Sequence, residues 1–246
     1  MRTWSDRHLG IGFDQLLILQ KSNCLKAKYY YRIINSDGTE VEQCGNGARC
    51  IAYYLFIIKK IKKNKICIRT KKRYLYLEYL YKNFMKIDMG KPLFSPCQLP
   101  FLNNDIKLYY SIEIDKRIYK ISIVSMGNPH CIVQIEDFND NLIKKIGYKL
   151  SIHPLFPKGV NVGFMQVISE NKIFLKVYER GVGETKSCGT GACAAVVTGI
   201  RNNLLCNTVD VFLSGGQLQV TWRGGLKDTV YMSGEATHVY DGVLKY

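Results

Sequence analysis

Two cysteine–glycine motifs carry the residue types that acid/base chemistry needs. The motifs are Cys44-Gly45-Asn46-Gly47-Ala48 and Cys188-Gly189-Thr190-Gly191-Ala192, and they lie 144 residues apart. Each precedes an apolar segment that is predicted to be helical, at 48–60 and 192–201. A cysteine at a helix N-terminus lies where unpaired backbone N–H groups favour negative charge, which predicts a thiol pKa below the ordinary ~8.5. The glycines let the backbone approach a ligand, and their amides can bind a carboxylate.

Two such thiols suit the inversion of a carbon centre. A C–H group beside a carboxylate is a weak acid, so inversion needs a base on one face of the carbon and an acid on the other. Cys44 and Cys188 would supply a thiolate and a thiol, with the roles exchanged for the opposite enantiomer. Their titrations would then be coupled. The duplicated motif therefore predicts a racemase or epimerase with a pseudo-symmetric cleft and a thiol on each side.

Other interpretations of the motifs remain open from the residues alone. Either motif by itself favours an ordinary turn before a buried helix, and only the duplication favours chemistry. A disulfide oxidoreductase would need the two sulfurs in contact, and the sequence has no CxxC pair. A pyridoxal phosphate enzyme would need a phosphate-binding glycine loop, and none stands out. Cys50 and Cys193, inside the helices, are assigned to the core, and most of the nine thiols are expected to be buried.

The cysteine and histidine spacings indicate neither disulfides nor a metal site. The cysteine count is odd, and no secretory signal begins the chain, so a disulfide framework is not expected. The four histidines are scattered, so zinc is not supported. The longest apolar run, 51–58, is too short to cross a bilayer. We therefore expect a soluble protein that does not bind a membrane.

The chain of 246 residues has a formal net charge of +15, which raises the alternative of a basic nucleic-acid-binding protein. Lysine outnumbers arginine 25 to 10, whereas specific readers of bases and phosphates favour arginine. The densest basic run, 59–65, follows an apolar segment and is interpreted as a helix end, where cations complement the dipole. We expect solvated lysines and no nucleic-acid partner.

The repeat extends beyond the two motifs. At the same separation of 144, Asn35 aligns with Glu179 and Met89-Gly90 with Ser233-Gly234. Gly12-Phe13-Asp14-Gln15-Leu16 resembles 163–167 at a separation of 151. The halves should therefore be two related β-rich units, each with one main helix. Predicted strands lie at 16–19, 29–34, 66–70, 74–79 and 84–89 in the first half, and at 119–124, 131–135, 161–168, 173–178, 209–213 and 218–222 in the second.

On these residues the sequence resembles the diaminopimelate epimerases over nearly its whole length. The segments that carry the resemblance are 6–15 (Asp-Arg-His-Leu-Gly-Ile-Gly-Phe-Asp-Gln), 35–38 (Asn-Ser-Asp-Gly), 44–50, 126–130 (Met-Gly-Asn-Pro-His), 178–181 (Tyr-Glu-Arg-Gly) and 188–192. Proline racemases share the fold and the cysteine pair but not this set, and a proline-type racemase is kept as the alternative enzyme.

The resemblance implies an isomerase that interconverts LL- and meso-2,6-diaminopimelate without a cofactor, for lysine and peptidoglycan precursor synthesis in the bacterial cytoplasm. The implied fold class is α/β (α+β), with two pseudo-symmetric domains, each a β-sheet wrapped around a central helix. The domains should comprise residues 1–89, joined by 234–246, and residues 90–233. Family members often form homodimers, so a homodimer is expected.

The resemblance also assigns roles to individual residues. Cys44 and Cys188 become the catalytic acid/base pair, and His130 could orient a cysteine, although a loop histidine without a role is equally compatible. Family members begin with a strand and a His-Gly-x-Gly-Asn-Asp-Phe-type loop, and Met1 falls after them, so we expect this strand and loop to be missing from the sequence. The implied substrate-binding residues are Gln15, Asn35, Gly45, Asn46, Asn128, Asn161, Glu179, Arg180, Gly189 and Thr190.

Overall fold

The computed structural model describes residues 1–41, 44–103 and 105–243. The chain divides into two compact units, one formed by Met1–Ile87 with Gly234–Tyr246 and the other by Asp88–Ser233. None of the helices within the described residues is both long enough and apolar enough to span a bilayer.

The first unit is a mixed sheet packed against one helix. Its strands are ordered β1-β2-β4-β5-β6, with the short β3 paired to β2. Helix α2 packs against β1 and β5, so the sheet curves around it. The helices and strands are α1 (Arg2–Ser5), β1 (Gln15–Cys24), β2 (Ala27–Asn35), β3 (Glu40–Val41), α2 (Gly45–Tyr53), β4 (Lys65–Arg69), β5 (Tyr74–Tyr81) and β6 (Phe84–Gly90), the last of which crosses the boundary between the units.

The second unit is a larger sheet around a more deeply buried helix. Its strand order is β15-β14-β13-β11-β10-β9-β8-β7, with β12 paired to β11. Helix α4 packs against six of these strands, and α3 covers β10 and β11. The helices and strands are β7 (Tyr110–Ile114), β8 (Arg117–Ser125), β9 (Pro129–Gln134), α3 (Asp140–Ser151), β10 (Asn161–Ser169), β11 (Lys172–Glu179), β12 (Gly183–Thr185), α4 (Gly189–Arg201), β13 (Thr208–Leu213), β14 (Gly216–Thr221) and β15 (Val230–Glu235).

The two units repeat one topology, as the sequence predicts. The series β1-β2-β3-α2-β4-β5-β6 has the same order and pairing as β10-β11-β12-α4-β13-β14-β15. In both series the first two strands form an antiparallel hairpin, and the second strand pairs in parallel with the strand that follows the helix. A right-handed crossover through the helix is the usual way to join such parallel neighbours. The second unit has β7, β8, β9 and α3 in addition.

Helix α4 is the centre of its unit because nearly its whole surface is apolar. All residues from Gly189 to Gly199 are buried, including the consecutive run of alanine and valine at 194–197. The one polar side chain late in this run, Thr198, donates its hydroxyl to the backbone of Ala194 and Ala195, so it needs no external partner. The prediction of a buried core helix is confirmed, and so is the predicted fold class.

Helix α2 differs in detail from its prediction. It begins at Gly45 rather than at residue 48, because the Cys44 side chain caps the first turn. It continues into a π-helical segment, Tyr54–Ile58, and ends at Lys59, where the basic run 59–65 begins. All eleven predicted strands are present, with ends that differ by zero to five residues. Helix α3 was not predicted from the sequence, and its apolar face of Ile143, Ile146 and Leu150 joins the core of the second unit.

The cysteines are less buried than expected. All nine are free thiols, but only Cys131, Cys188 and Cys193 are buried. Cys193 lies in the core as predicted, whereas the assignment of Cys50 to the core is wrong, since that residue is exposed. Helix α2 packs against the sheet on one face only, and Cys50 lies on its exposed side. Helix α4 is enclosed on all sides, so Cys193 is buried at a similar position in its helix.

Candidate active site

Cys44 is the N-cap of α2 and its side chain bonds to the helix it begins. The backbone of Cys44 is extended, with φ −144°, and its Sγ accepts a hydrogen bond from the Gly47 N–H at 3.3 Å. A sulfur acceptor here takes the place that serine or aspartate oxygens usually take at a helix start. The thiol is therefore fixed at the positive end of the helix, half-buried and directed by the backbone.

The glycines of the first motif are closely packed against their neighbours. A Cβ on Gly47 would lie 2.4 Å from the hydroxyl oxygen of Tyr31 and 2.9 Å from a Leu17 methyl group, so no larger residue fits there. Gly45 is also buried. Between them, Asn46 presents a buried Oδ1 that makes no hydrogen bond within the part of the chain that the structure describes. An unsatisfied buried acceptor beside a nucleophilic thiol is the kind of group that a bound ligand satisfies.

Gln15 and Asn35 form a second polar group in the first unit. They are opposite each other at the end of the β1–β2 hairpin, and the Gln15 amide donates to Asn35 Oδ1 at 3.0 Å. Asn35 in turn donates to Thr39 Oγ1 at 3.2 Å. No hydrogen bond among the described residues joins this pair to Cys44.

Cys188 begins α4 in the same backbone conformation as Cys44, with φ −130°, but its surroundings differ. Its side chain does not cap the helix; it lies 3.5 Å from Thr190 Oγ1. Thr190 also accepts from the Asn128 amide at 3.3 Å, and Asn128 Oδ1 lies 3.1 Å from His130 Nε2. A continuous polar chain thus joins a buried histidine to the catalytic candidate, and the side chain of Thr190 is the link that sequence reasoning missed.

His130 lies in strand β9 and not in a loop, which corrects one of the two interpretations left open for it. It is fully buried, and burial lowers its pKa to about 3, so the ring is neutral. Its Nδ1 makes no hydrogen bond within the described residues. His130 reaches Cys188 only through Asn128 and Thr190, so it is a support for that network and not a direct partner of the thiol.

Glu179 lies at the end of β11, where the short strand β12 holds it. The Thr185 hydroxyl donates to Glu179 Oε1 at 2.6 Å. Burial first, and then the negative charge of Glu179, raise the pKa of Cys188 to about 12. Thr185 was not identified from the sequence, because β12 is not among the predicted strands and only its pairing with β11 brings Thr185 to Glu179.

Arg180 and Asn161 are joined by backbone contacts. Asn161 accepts from the Arg180 N–H at 3.0 Å and donates to the Pro129 carbonyl at 3.2 Å, so its amide connects the ends of β9, β10 and β11. The Arg180 guanidinium donates to the Lys158 carbonyl. The Arg180 stem packs on Gly159, whose φ of +69° and lack of a side chain allow the approach. The arginine is thereby anchored at one face of its guanidinium.

The expectation of lowered thiol pKa values is wrong for this structure. The pKa of Cys44 is raised because burial outweighs the Gly47 and Asn46 amides and the positive charge of Arg49, all of which lower it. The pKa of Cys188 is raised to about 12, first by burial and then by the charge of Glu179. Helix position alone does not settle the protonation of a thiol when desolvation is the larger effect. Across the described ranges, no three His, Cys, Asp or Glu side chains are grouped so that they could hold a metal ion.

The chain is similar in sequence to enzymes of one family. Residues 1–94 and 122–239 match the family model for diaminopimelate epimerase. A diaminopimelate epimerase of Buchnera aphidicola is 46% identical over 240 residues, which is 98% of this chain and 84% of that protein. One of Acinetobacter baumannii is 45% identical over 242 residues, which is 98% of this chain and 85% of that protein.

Two solved structures with little sequence identity share the fold. A hydroxyproline epimerase from Agrobacterium vitis, with bound trans-4-hydroxy-L-proline, has a TM-score of 0.69 at 14% identity and covers 95% of this chain and 76% of its own. A probable proline racemase from Agrobacterium radiobacter has a TM-score of 0.67 at 13% identity, with 98% of this chain and 80% of its own covered. These two likenesses show the fold alone, whereas the sequence matches show the family. The chain therefore belongs to the diaminopimelate epimerase family.

Proposed function

We propose that this protein interconverts LL- and meso-2,6-diaminopimelate without a cofactor, with Cys44 and Cys188 as the acid/base pair. The observation that carries the proposal is the duplicated helix start. Each unit presents one cysteine at the N-cap of its main helix, in the same extended backbone conformation, followed by glycines. Membership of the family supplies the substrate, and the two thiols supply the two proton-transfer groups that inversion requires.

The surroundings of the two thiols support different roles for them in the reaction. Cys44 has one backbone N–H on its sulfur and a buried arginine, Arg49, whose charge lowers its pKa. Cys188 has the carboxylate of Glu179 nearby, which keeps its proton bound. We infer that the reactive form of the enzyme has Cys44 as the thiolate and Cys188 as the thiol. Because burial raises the pKa of Cys44, this form is a minor one before the substrate binds to it. Cys44 then removes the α-proton, and Cys188 donates its own proton to the same carbon.

The charges balance in this scheme. The α C–H bond breaks, its proton forms an S–H bond on Cys44, and the electron pair is held on the α-carbon and its carboxylate. The Cys188 proton then bonds to carbon, which leaves a thiolate on Cys188. The reverse reaction starts from that state. Backbone amides of Gly45, Asn46, Gly189 and Thr190 are proposed to hold the reacting carboxylate, since amides at a helix N-terminus are suited to an anion.

The remaining predicted residues are proposed to bind the far end of the substrate. The guanidinium of Arg180 would bind the distal carboxylate of the substrate. The carboxylate of Glu179 would accept hydrogen bonds from the distal ammonium group. Asn161 supports Arg180 through its backbone, and Asn128 supports Thr190. The other proposed pocket residues are Gln15, Asn35 and His130.

Solvent exchange tests the reaction and its residues together. In D₂O, purified protein with LL-diaminopimelate should yield meso product with deuterium at the inverted carbon. Cys44→Ala and Cys188→Ala should each lower kcat by at least ~10³-fold, since each removes a group that transfers a proton. Cys50→Ala, a matched change on the exposed side of α2, should retain activity. Normal turnover by both active-site variants would refute the proposal, and turnover of proline instead would favour the racemase alternative.

A cytoplasmic location and a homodimer belong to the same proposal, because they rest on the family alone. Light scattering of the purified protein would give twice the mass of one 28.2 kDa chain if it pairs.

A further inference from the structure

Tyr31 is a buried polar group that the fold leaves without a partner. The residue lies on β2 and is 1% exposed, and its hydroxyl makes no hydrogen bond within the described residues. Native proteins rarely keep such a group, because burial removes the water that would otherwise pair with it. Phenylalanine would fill the same volume without this penalty. The hydroxyl therefore calls for an explanation other than packing.

The Tyr31 hydroxyl lies at the start of α2. The oxygen lies 2.4 Å from the point that a Cβ on Gly47 would occupy. Gly47 is the residue whose N–H donates to Cys44 Sγ at 3.3 Å. The hydroxyl, this amide and the sulfur therefore form one cluster, and the glycine makes the space that the hydroxyl fills.

The phenol in this cluster stays neutral, and toward a thiolate it can act only as a hydrogen-bond donor. Burial raises the pKa of Tyr31, and so does the negative charge that Cys44 and Cys50 would carry as thiolates. The effect is mutual, since a neutral phenol can donate a hydrogen bond to a nearby thiolate and so stabilise it. The other groups that act on the Cys44 sulfur are Arg49 and Cys50 of α2, while Leu17 on β1 contributes only apolar surface.

We propose that Tyr31 is a positioning residue for Cys44, with a hydroxyl that donates to the thiolate when it forms and returns to an unpaired state when the thiol is reprotonated. This inference rests on the proposed role of Cys44 in the reaction. It explains why a hydroxyl without a structural partner is retained next to a glycine that no side chain could replace. A hydroxyl that makes no hydrogen bond to the thiol but donates one to the thiolate stabilises the thiolate relative to the thiol. The thiolate is the form that removes the α-proton.

The test measures the Cys44 thiol directly, without substrate. The rate of Cys44 alkylation by iodoacetamide is followed from pH 6 to 10 by peptide mass analysis, in wild-type protein and in Tyr31→Phe. The variant should raise the apparent pKa of Cys44 and slow its alkylation about tenfold below that pKa, the lower part of the range for hydrogen bonds to charged groups. Its midpoint of thermal unfolding should be unchanged or higher, because an unpaired hydroxyl has been removed.

Tyr30→Phe is the matched control. Tyr30 precedes Tyr31 on β2, so its side chain faces the opposite side of the sheet. The substitution Tyr30→Phe removes the same hydroxyl group as Tyr31→Phe. It should leave the Cys44 profile unchanged. An identical alkylation profile in wild-type and Tyr31→Phe, or an equal shift in both variants, would overturn the inference. The outcome is independent of turnover: failure of epimerisation with a shifted profile would reject the proposed function alone, and a normal epimerase with an unshifted profile would reject only the role of Tyr31.

Discussion

The buried Cys188 thiol should make the second unit less stable in alkali. Its pKa is raised from 9.0 to about 12 in the folded protein, chiefly by burial and then by the charge of Glu179. The folded state thus holds this proton more tightly than the unfolded state does. The associated stability is complete below about pH 9 and is lost as the pH rises toward 12.

The magnitude follows from the two pKa values. One unit of difference corresponds to about 1.4 kcal/mol, so the full effect of a shift from 9.0 to about 12 is about 4 kcal/mol. Between pH 9 and 11, where the unfolded thiol is ionised and the folded one is not, the free energy of unfolding should fall by about 2 kcal/mol through this group alone. Cys188→Ser has no thiol at this position and should lack that part of the decline.

Tryptophan fluorescence can isolate this unit in urea titrations. The chain has two tryptophans, and Trp222 is buried in the second unit with its indole N–H on the Asp228 carbonyl at 3.3 Å. In a Trp4→Phe background, Trp222 reports unfolding of its own surroundings. The quantity of interest is the difference in the free energy of unfolding between the parent and Cys188→Ser at each pH. Lysine and tyrosine titrations that are common to both proteins cancel in this difference.

The control is Cys97→Ser, which removes an exposed thiol of the same unit and should leave the decline intact. If the parent and Cys188→Ser lose stability equally between pH 9 and 11, the burial and carboxylate effects assigned to Cys188 are wrong. A decline that is absent from Cys97→Ser but present in Cys188→Ser would show that the exposed thiol, and not the buried one, controls the alkaline transition.

Two further substitutions test particular contacts. Thr185→Val removes the hydroxyl that donates to Glu179 at 2.6 Å, and we expect kcat/KM for diaminopimelate to fall about tenfold. Thr185→Ser retains a hydroxyl at this position and should keep most of the wild-type kcat/KM. Equal activity of the two variants would contradict a role for this hydrogen bond. Glycine to alanine inside a helix ordinarily stabilises the protein by about 1 kcal/mol. In Gly47→Ala, however, the new Cβ would lie 2.4 Å from Tyr31 Oη and 2.9 Å from Leu17. The free energy of unfolding, measured by circular dichroism in urea, should therefore fall by about 1–3 kcal/mol. A Gly47→Ala protein that is more stable than wild type would show that the hydroxyl moves away at little cost.

The repeat, the strands and the central helices are visible in the sequence because they depend on local patterns. Glycines that follow a cysteine, alternating apolar residues and an apolar run such as 194–197 each restrict the backbone within a few residues. Helix α3 was missed although its signals are local: Ile143, Ile146 and Leu150 have helical spacing, and Asn139 caps the start of the helix. Helix α2 began earlier than predicted because its cap is a thiol, a residue type that weighs little in capping patterns.

The sequence by itself indicated which residues are proposed to bear the chemistry, namely two cysteines at matched helix starts, and it determined the family, that of the diaminopimelate epimerases. Only the tertiary structure decided the state of those thiols. Cys44 and Cys188 share a motif and a backbone conformation, yet one has a capping amide and a buried arginine and the other a carboxylate held by Thr185. Spacing along the chain reports local backbone geometry, whereas a pKa depends on burial and on charges that come from distant positions in the sequence.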